Sequence, residues 1–555
     1  MILKEIKQLI GKKLKINIDI FAYPPNSEMG DISLPLFSLS KERKINVQEL
    51  ANDFREKILN DNELNFIFEK IEASGPYLNF FLDKKFLFNE TISYVLNNKN
   101  DLGYNQDGQN QKIIFEYSNA NTHKEIHIGH LRNIVFGDSL VKISKANGFD
   151  SYPVSFINDL GINTAKTVWA YKQNYSQNIG QCYAWSVSEI DKNPDLKEEI
   201  SQIMIEIEKE DGENYDLWKK TRDLSMKEFE DIYSLLDINF YKTYFESDFT
   251  KRGVEIVDDF LKKGIFKKSQ GAIIADLEEY GLGVLPVVRS DGTSLYAVAD
   301  LALAEKKDQD FPDLKKSFIV VDVRQSLHFK QLFKILELAG YKNDFTHLAY
   351  DFVKLPEGMM SSRSGKVVLL KDLFDQIFDK LILESKKRHE DWDDKKIKNN
   401  CQKLAVAILK FEMLKVGANK TITFNIEEAL RFDGYSALYI LYTLVRMKSI
   451  LRKADFAESV EYSLDLLQSD IEKKIALEMA KYSDIVYKTG QDNDPSEIAK
   501  YLFDFAKLFN DYYQKINILQ TEDNLKKARL IFIYSCSLLL ENALKLLGIE
   551  SLEEI

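Results

Sequence analysis

The chain has 555 residues, 45% hydrophobic and 29% charged, a soluble globular composition with room for about three or four domains. A net charge of −12 argues against binding nucleic acid through bulk basicity, so any such partner must meet a local basic surface. Three scattered cysteines (Cys182, Cys401, Cys536) lack zinc-site spacing and suit a reducing compartment, the cytoplasm.

Residues 1–105 read as an α+β module. Its first residues form a charge-interrupted amphipathic helix rather than a signal peptide. A turn-rich loop at 23–31 and a Gly75-Pro76 turn into an aromatic strand at 77–82 follow, and the polar tract 97–111 reads as a linker. No apolar run is long enough to span a bilayer; 369–383, for instance, is broken by Lys371, Asp372, Asp375 and Asp379.

From 112 to 375 strands and helices alternate, which predicts a parallel α/β sheet of Rossmann type. Strands are expected at 112–117, 152–157, 285–288, 318–322 and 348–354, and a long acidic stretch at about 171–265 reads as a helical insertion. Its Trp218, Phe229, Tyr233 and Leu236 read as core. Beyond 376 only helical periodicity remains, as in Leu404-Ala405-Ala407-Ile408-Phe411, predicting an all-helical domain over 376–555.

Three of the six histidines fall in Asn121-Thr122-His123-Lys124-Glu125-Ile126-His127-Ile128-Gly129-His130, between the first strand and a helix expected from 131 to about 147. A strand, a glycine loop and a helix N-terminus form a phosphate seat, because unpaired backbone N–H groups and the positive dipole end face the incoming anion. His127 and His130 share a helical face and can donate to one phosphate chain, while Gly129 clears space for a base or ribose. A metal site is the competing reading, since His123 and His127 are four apart. The segment is not His-Glu-x-x-His, however, and Lys124 would put a cation among the ligands, so no metal ligand is assigned. Nothing resembling Gly-x-Ser-x-Gly supports a serine hydrolase.

His127-Ile128-Gly129-His130, with Glu116-Tyr117-Ser118-Asn119-Ala120-Asn121 upstream and Lys124 between, resembles the HIGH block of the arginyl-tRNA synthetases, class I aminoacyl-tRNA synthetases. Gly358-Met359-Met360-Ser361-Ser362-Arg363-Ser364-Gly365-Lys366 resembles their KMSKS loop, with Ser362 in place of the usual second lysine. The resemblance spans nearly the whole chain. It implies an N-terminal tRNA-contacting domain, a catalytic domain and a helical DALR-type anticodon-binding domain. The implied reaction joins arginine to the 3′ end of its tRNA through arginyl-adenylate, with ATP and Mg2+, in a cytoplasmic monomer whose arginine activation requires bound tRNA.

The resemblance also assigns roles. Lys124, His127, His130, Ser361, Ser362 and Arg363 would serve catalysis, Lys124 supplying the charge the loop lacks. Ala120, Asn121, His127, Ile128, Gly129, His130, His328, Met360, Ser361 and Lys366 would hold ATP. Glu116, Asn121, Tyr296, Asp300 and Gln325 would hold arginine, whose guanidinium fork calls for a carboxylate. Tyr439, Tyr442 and Arg446 would meet tRNA bases by stacking. The chain departs from the family pattern at Leu160, Ala299, Leu441, Leu444 and its last five residues, which opens the anticodon contacts to question. Rival readings are another class I synthetase, a non-catalytic tRNA-binding paralogue and a metal-dependent hydrolase.

Overall fold

The computed structural model describes residues 2–356 and 368–555. Contacts divide the chain into two compact units: residues 106–430 with 493–496, and residues 1–105 with 431–492 and 497–555. The boundary expected at 376 falls inside the helix Leu370–Arg388, which with Asp394–Leu414 groups with the α/β unit.

Five parallel strands build the α/β unit: β1 (Lys112–Glu116), β2 (Asp150–Ile157), β3 (Lys242–Phe245), β4 (Leu314–Asp322) and β5 (Asp344–Tyr350). Their spatial order is β5-β4-β1-β2-β3. The chain thus winds outward from β1 to β3, returns to the other side of β1 and winds outward again. The order reverses between β1 and β4, and ligands of open α/β sheets bind at the carboxyl ends of strands flanking such a reversal. The connection that carries His127 and His130 leaves β1 there, while the chain leading to the serine-rich segment leaves the edge strand β5.

Helix α1 (Ile128–Ala146) is buried almost all round, including Arg132, Asn133 and Asp138. A helix hydrophobic on every side belongs in the middle of a protein, and α1 packs on β1, β2, β4 and the helix Asp394–Leu414. On the other sheet face Ile114, Val154, Phe156, Ile319 and Val321 form one core with α2 (Tyr296–Asp310) and α3 (Ser326–Leu338). Asn133 bolts α1 to the sheet. Its Oδ1 accepts from the Ser118 N–H at 2.5 Å, and its Nδ2 donates to the Val320 carbonyl at 2.6 Å.

Two sequence expectations differ from the structure. The stretch 171–265 is not wholly helical, because Lys242-Thr243-Tyr244-Phe245 is the edge strand β3; four residues are too few to show periodicity. Conversely, Val284–Val288 joins a separate antiparallel sheet with Lys267–Ser269 and Ala272–Asp276, since alternation fixes a strand but not its partner. Trp218, Phe229, Tyr233 and Leu236 are buried.

In the other unit, a three-stranded antiparallel sheet (Ile32–Pro35, Tyr77–Leu82, Phe68–Ser74) carries helices Ile2–Leu14, Val47–Leu59 and Lys84–Asn98. The last packs against helices Asp470–Asp492 and Asp523–Leu546, with Phe88 edge-on to Phe532 at 5.9 Å. No helix among the described residues is long and apolar enough to cross a membrane.

Replacing Asn133 with Ala strands the buried Ser118 N–H and the Val320 carbonyl. Denaturation of the full chain should show a loss of about 2–3 kcal/mol.

Candidate active site

His127 is the N-cap of α1, with extended backbone (φ −114°, ψ 172°). Its Nδ1 accepts from the Gly129 N–H at 3.0 Å, and the His127 N–H donates to His130 Nδ1 at 3.2 Å. These two bonds use up helix-start donors that would otherwise be orphaned. They also fix both tautomers, because a neutral ring that accepts at Nδ1 carries its proton on Nε2. The rings stack at 3.9 Å and 21°. Burial, and then the Lys124 charge, pulls His127 down to about 4. His130 is held well below the usual imidazole range by burial, His127 and Lys124. At neutral pH the pair is two uncharged donors whose Nε2–H groups have no acceptor among the described residues.

Gly129 has a second reason to be glycine: a Cβ there would stand 2.9 Å from His127 Cε1. Its clearance serves the imidazole. Ile128 lies in the core, and its N–H donates to the Val368 carbonyl at 3.2 Å, so neither its side chain nor its N–H is left for a nucleotide. Ala120 is buried as well, while Asn121 is exposed and bridges to Asn158. Lys124 makes no ion pair among the described residues. Its ammonium lies 5.1 Å from the Tyr183 ring centre, and burial and Lys166 lower its pKa from the ordinary lysine value. His123 is the structural histidine of the three. Fully buried, its ring bonds Thr122 Oγ1 at 2.7 Å and Thr221 Oγ1 at 2.9 Å.

The carboxylates collect at the same sheet edge. Glu116, ending β1, is 3% exposed and ion-paired with Lys307 of α2, and it accepts from Asn119 Nδ2 at 2.9 Å. Glu116, Asp300 and Lys307 line one cavity. Asp300 sits one turn into α2 beyond Tyr296, which is 69% exposed at the helix start. Its Oδ2 meets His328 Nε2 at 2.8 Å. His328, expected beside ATP, is therefore an Asp300 partner. Gln325 is exposed just past β4.

Glu246 was not singled out in the sequence. It follows β3 and accepts from Asn158 Nδ2 at 3.1 Å, while the Asn158 backbone bonds Ala120 and Thr122. Burial raises its pKa to about 7 against the Asn158 bond, and the Asp159 and Asp300 charges add to the rise. Asn158 thus ties Glu246 to the 120–122 backbone that leads into the histidine segment, and Glu246 lies near enough to Asp300 to feel its charge. Met360, Ser361, Ser362, Arg363 and Lys366 lie outside the described residues. Among those described, no group of three or more His, Cys, Asp or Glu side chains could hold a metal.

In the other unit, Tyr442 is 41% exposed, and the Arg446 guanidinium lies 4.8 Å from the Tyr442 and Tyr513 ring centres. Arg446 also bonds Asn510, and Tyr439 packs on Phe503 at 5.5 Å. Leu441 and Leu444 are core residues, so these departures leave the exposed face unchanged.

Three family models match: the catalytic domain of class I tRNA synthetases (R) over residues 91–425, the DALR anticodon-binding domain over 440–555, and the arginyl-tRNA synthetase N-terminal domain over 1–82. The chain belongs to the arginyl-tRNA synthetases, the class I arginine–tRNA ligases. An arginine–tRNA ligase of Clostridium acetobutylicum is 32% identical over 567 residues, covering 100% of this chain and 99% of the relative. One from Clostridium botulinum (strain Alaska E43 / Type E3) is 32% identical over 568 residues, covering 99% of each. The arginyl-tRNA synthetase structure from Thermus thermophilus superposes with a TM-score of 0.82 at 23% identity, covering 100% of this chain and 99% of that one. The Plasmodium falciparum structure gives 0.78 at 22%, covering 100% and 98%. Family membership brings ATP, arginine and arginine tRNA as substrates.

Burial, aided by the Arg222 charge, pulls His123 from 6.5 to about 3, so the folded state binds its proton less readily than the unfolded chain. Its contribution to stability is complete above about pH 6.5 and is lost as pH falls toward 3. Thermal melts across that range should show a shallower acid loss for His123→Gln than for wild type, from a lower starting stability.

Proposed function

We propose that the two Nε2–H groups of His127 and His130, with the Lys124 ammonium, hold the ATP phosphates at the start of α1. Ser361, Ser362, Arg363 and Lys366 of the serine-rich loop complete the grip, with Met360 beside the nucleotide. A carboxylate oxygen of arginine attacks the α-phosphorus, the bond to the β-phosphate oxygen breaks, and pyrophosphate leaves. A hydroxyl of the tRNA's terminal ribose then attacks the arginyl carbonyl carbon, and AMP departs. The protein supplies position and charge complementarity rather than a nucleophile. The nucleotide substrate would carry Mg2+, which would neutralise part of the phosphate charge.

The observation that carries this reading is the pairing of opposite electrostatics across one sheet edge. Neutral imidazole donors and a partly buried lysine face the phosphate side, and Asp300 and Glu246 face the amino-acid side. Lys307 already neutralises Glu116, so Asp300 and Glu246 remain for the cationic substrate, with Tyr296 over the entrance and Asn121 and Gln325 at its rim. A guanidinium between two carboxylates is a strong charge-assisted arrangement. Tyr442 and Arg446, joined by Tyr513, stack on tRNA bases, with Tyr439 supporting them. Arginine activation waits for bound tRNA. The enzyme acts as a monomer in the cytoplasm, where the three buried, unpaired cysteines stay reduced.

Arginine-dependent pyrophosphate exchange in the presence of tRNA tests the whole reading, and exchange driven instead by another amino acid overturns it. Asp300→Ala should raise the arginine KM about 100-fold or more while leaving the ATP KM within about twofold. Glu246 must be ionised to hold the guanidinium, so the arginine KM should rise as pH falls below about 7, by at most about tenfold per pH unit. Glu246→Gln should remove that slope and hold the KM high throughout, as read from pH-dependent aminoacylation kinetics.

A further inference from the structure

Arg132 lies one turn into α1, beyond His130, and is 1% exposed. Its guanidinium is directed at backbone. Nη1 donates to the carbonyls of Asp351 at 2.6 Å, Lys420 at 2.9 Å and Phe352 at 3.3 Å. Nη2 donates to those of Ala418 at 3.1 Å and Gly417 at 3.2 Å. The Tyr350 ring lies 5.8 Å from the guanidinium carbon. Burial lowers its pKa to about 10, with Asp351, Asp322 and Asp494 opposing as charges.

These carbonyls belong to two segments that pair with each other. Val353–Lys354 lies parallel to Ile422–Thr423, and Thr421 Oγ1 donates to Asp351 Oδ2 at 2.6 Å. From Val353–Lys354 the chain runs into the serine-rich loop, and it emerges at Val368. There the Val368 carbonyl accepts from the Ile128 N–H, and the Leu370 N–H donates to the Ile126 carbonyl at 2.9 Å. The segment that presents His127 and His130 therefore holds the approach to the loop through Arg132 and its exit through backbone bonds. A lysine, with three donors on one nitrogen, cannot span two strands of carbonyls as a planar fork does.

We propose that Arg132 is a positioning residue for adenylate formation: it sets the stacked imidazoles against the strand pair that feeds the serine-rich loop. This rests on the phosphate-binding role given above to His127 and His130. Arg132 touches neither substrate and acts through the backbone it holds. Its loss displaces phosphate-binding groups but leaves the Asp300 and Glu246 pocket, which lies on α2 and beyond β3, in place.

The test compares wild type, Arg132→Lys and Arg132→Gln in tRNA-dependent pyrophosphate exchange, with ATP and arginine varied separately and folding checked by circular dichroism. A misplacement of about 1 Å is worth about 100-fold, so kcat/KM for ATP should fall by about that factor in Arg132→Gln and less in Arg132→Lys. The ATP KM should rise, and the arginine KM should stay within about twofold. An unchanged ATP KM, or equal rises in both KM values, overturns the proposal, because a residue serving only the fold would not discriminate between substrates. If neither variant folds, wild type decides: saturating ATP should slow amide exchange in Phe352, Val353 and residues 421–423, and unchanged exchange there refutes the role. Absence of arginine-dependent exchange in wild type would instead refute the function on which the proposal rests.

Discussion

The catalytic unit depends on how α1 begins. A helix N-terminus leaves backbone donors without partners, and here two imidazoles absorb that deficit through Nδ1. The same bonds leave both Nε2–H groups without an acceptor among the described residues, so capping the helix also sets up the donors that the proposed phosphate grip uses. Gly129 permits it by leaving room for the His127 ring. Asn133 and Arg132, further along the helix, tie this arrangement to the sheet and to the segments around the serine-rich loop.

Charge is organised as economically as hydrogen bonding. A chain of net charge −12 would repel a triphosphate and a tRNA if its acidity were uniform. Instead, acidic groups at the site are divided by task. Asp159 is fully buried, accepting from the Ser247 N–H and hydroxyl and lying 3.5 Å from Arg222, so it belongs to the scaffold. Glu116 is matched by Lys307. In the proposed reading, Asp300 and Glu246 carry the acidity that a cationic substrate meets. Neutral histidines beside a lysine would then give the phosphate side donors without crowding it with cations.

Much of this was legible in the sequence. The strand–loop–helix arrangement at 112–146 was readable because a strand, a glycine and a helix start are local features, and Asp300 one turn after Tyr296 at a helix start was readable for the same reason. The place of Glu246 was not legible, since only a four-residue edge strand delivers it to the carboxyl edge of the sheet. His328 could not be placed from spacing: its neighbour Asp300 lies on a different helix. Leu441 and Leu444 looked like lost binding residues, whereas the helix simply turns them inward. Nor did periodicity reveal that Val284–Val288 would leave the main sheet.

The Glu116–Lys307 pair lies between β1 and α2, with both partners almost wholly out of water. Losing either alone strands a charge in a low-dielectric interior, which is far worse than losing both. The two positions, 191 residues apart in the chain, are therefore energetically coupled: replacing either alone costs far more than replacing both together with apolar side chains of similar volume.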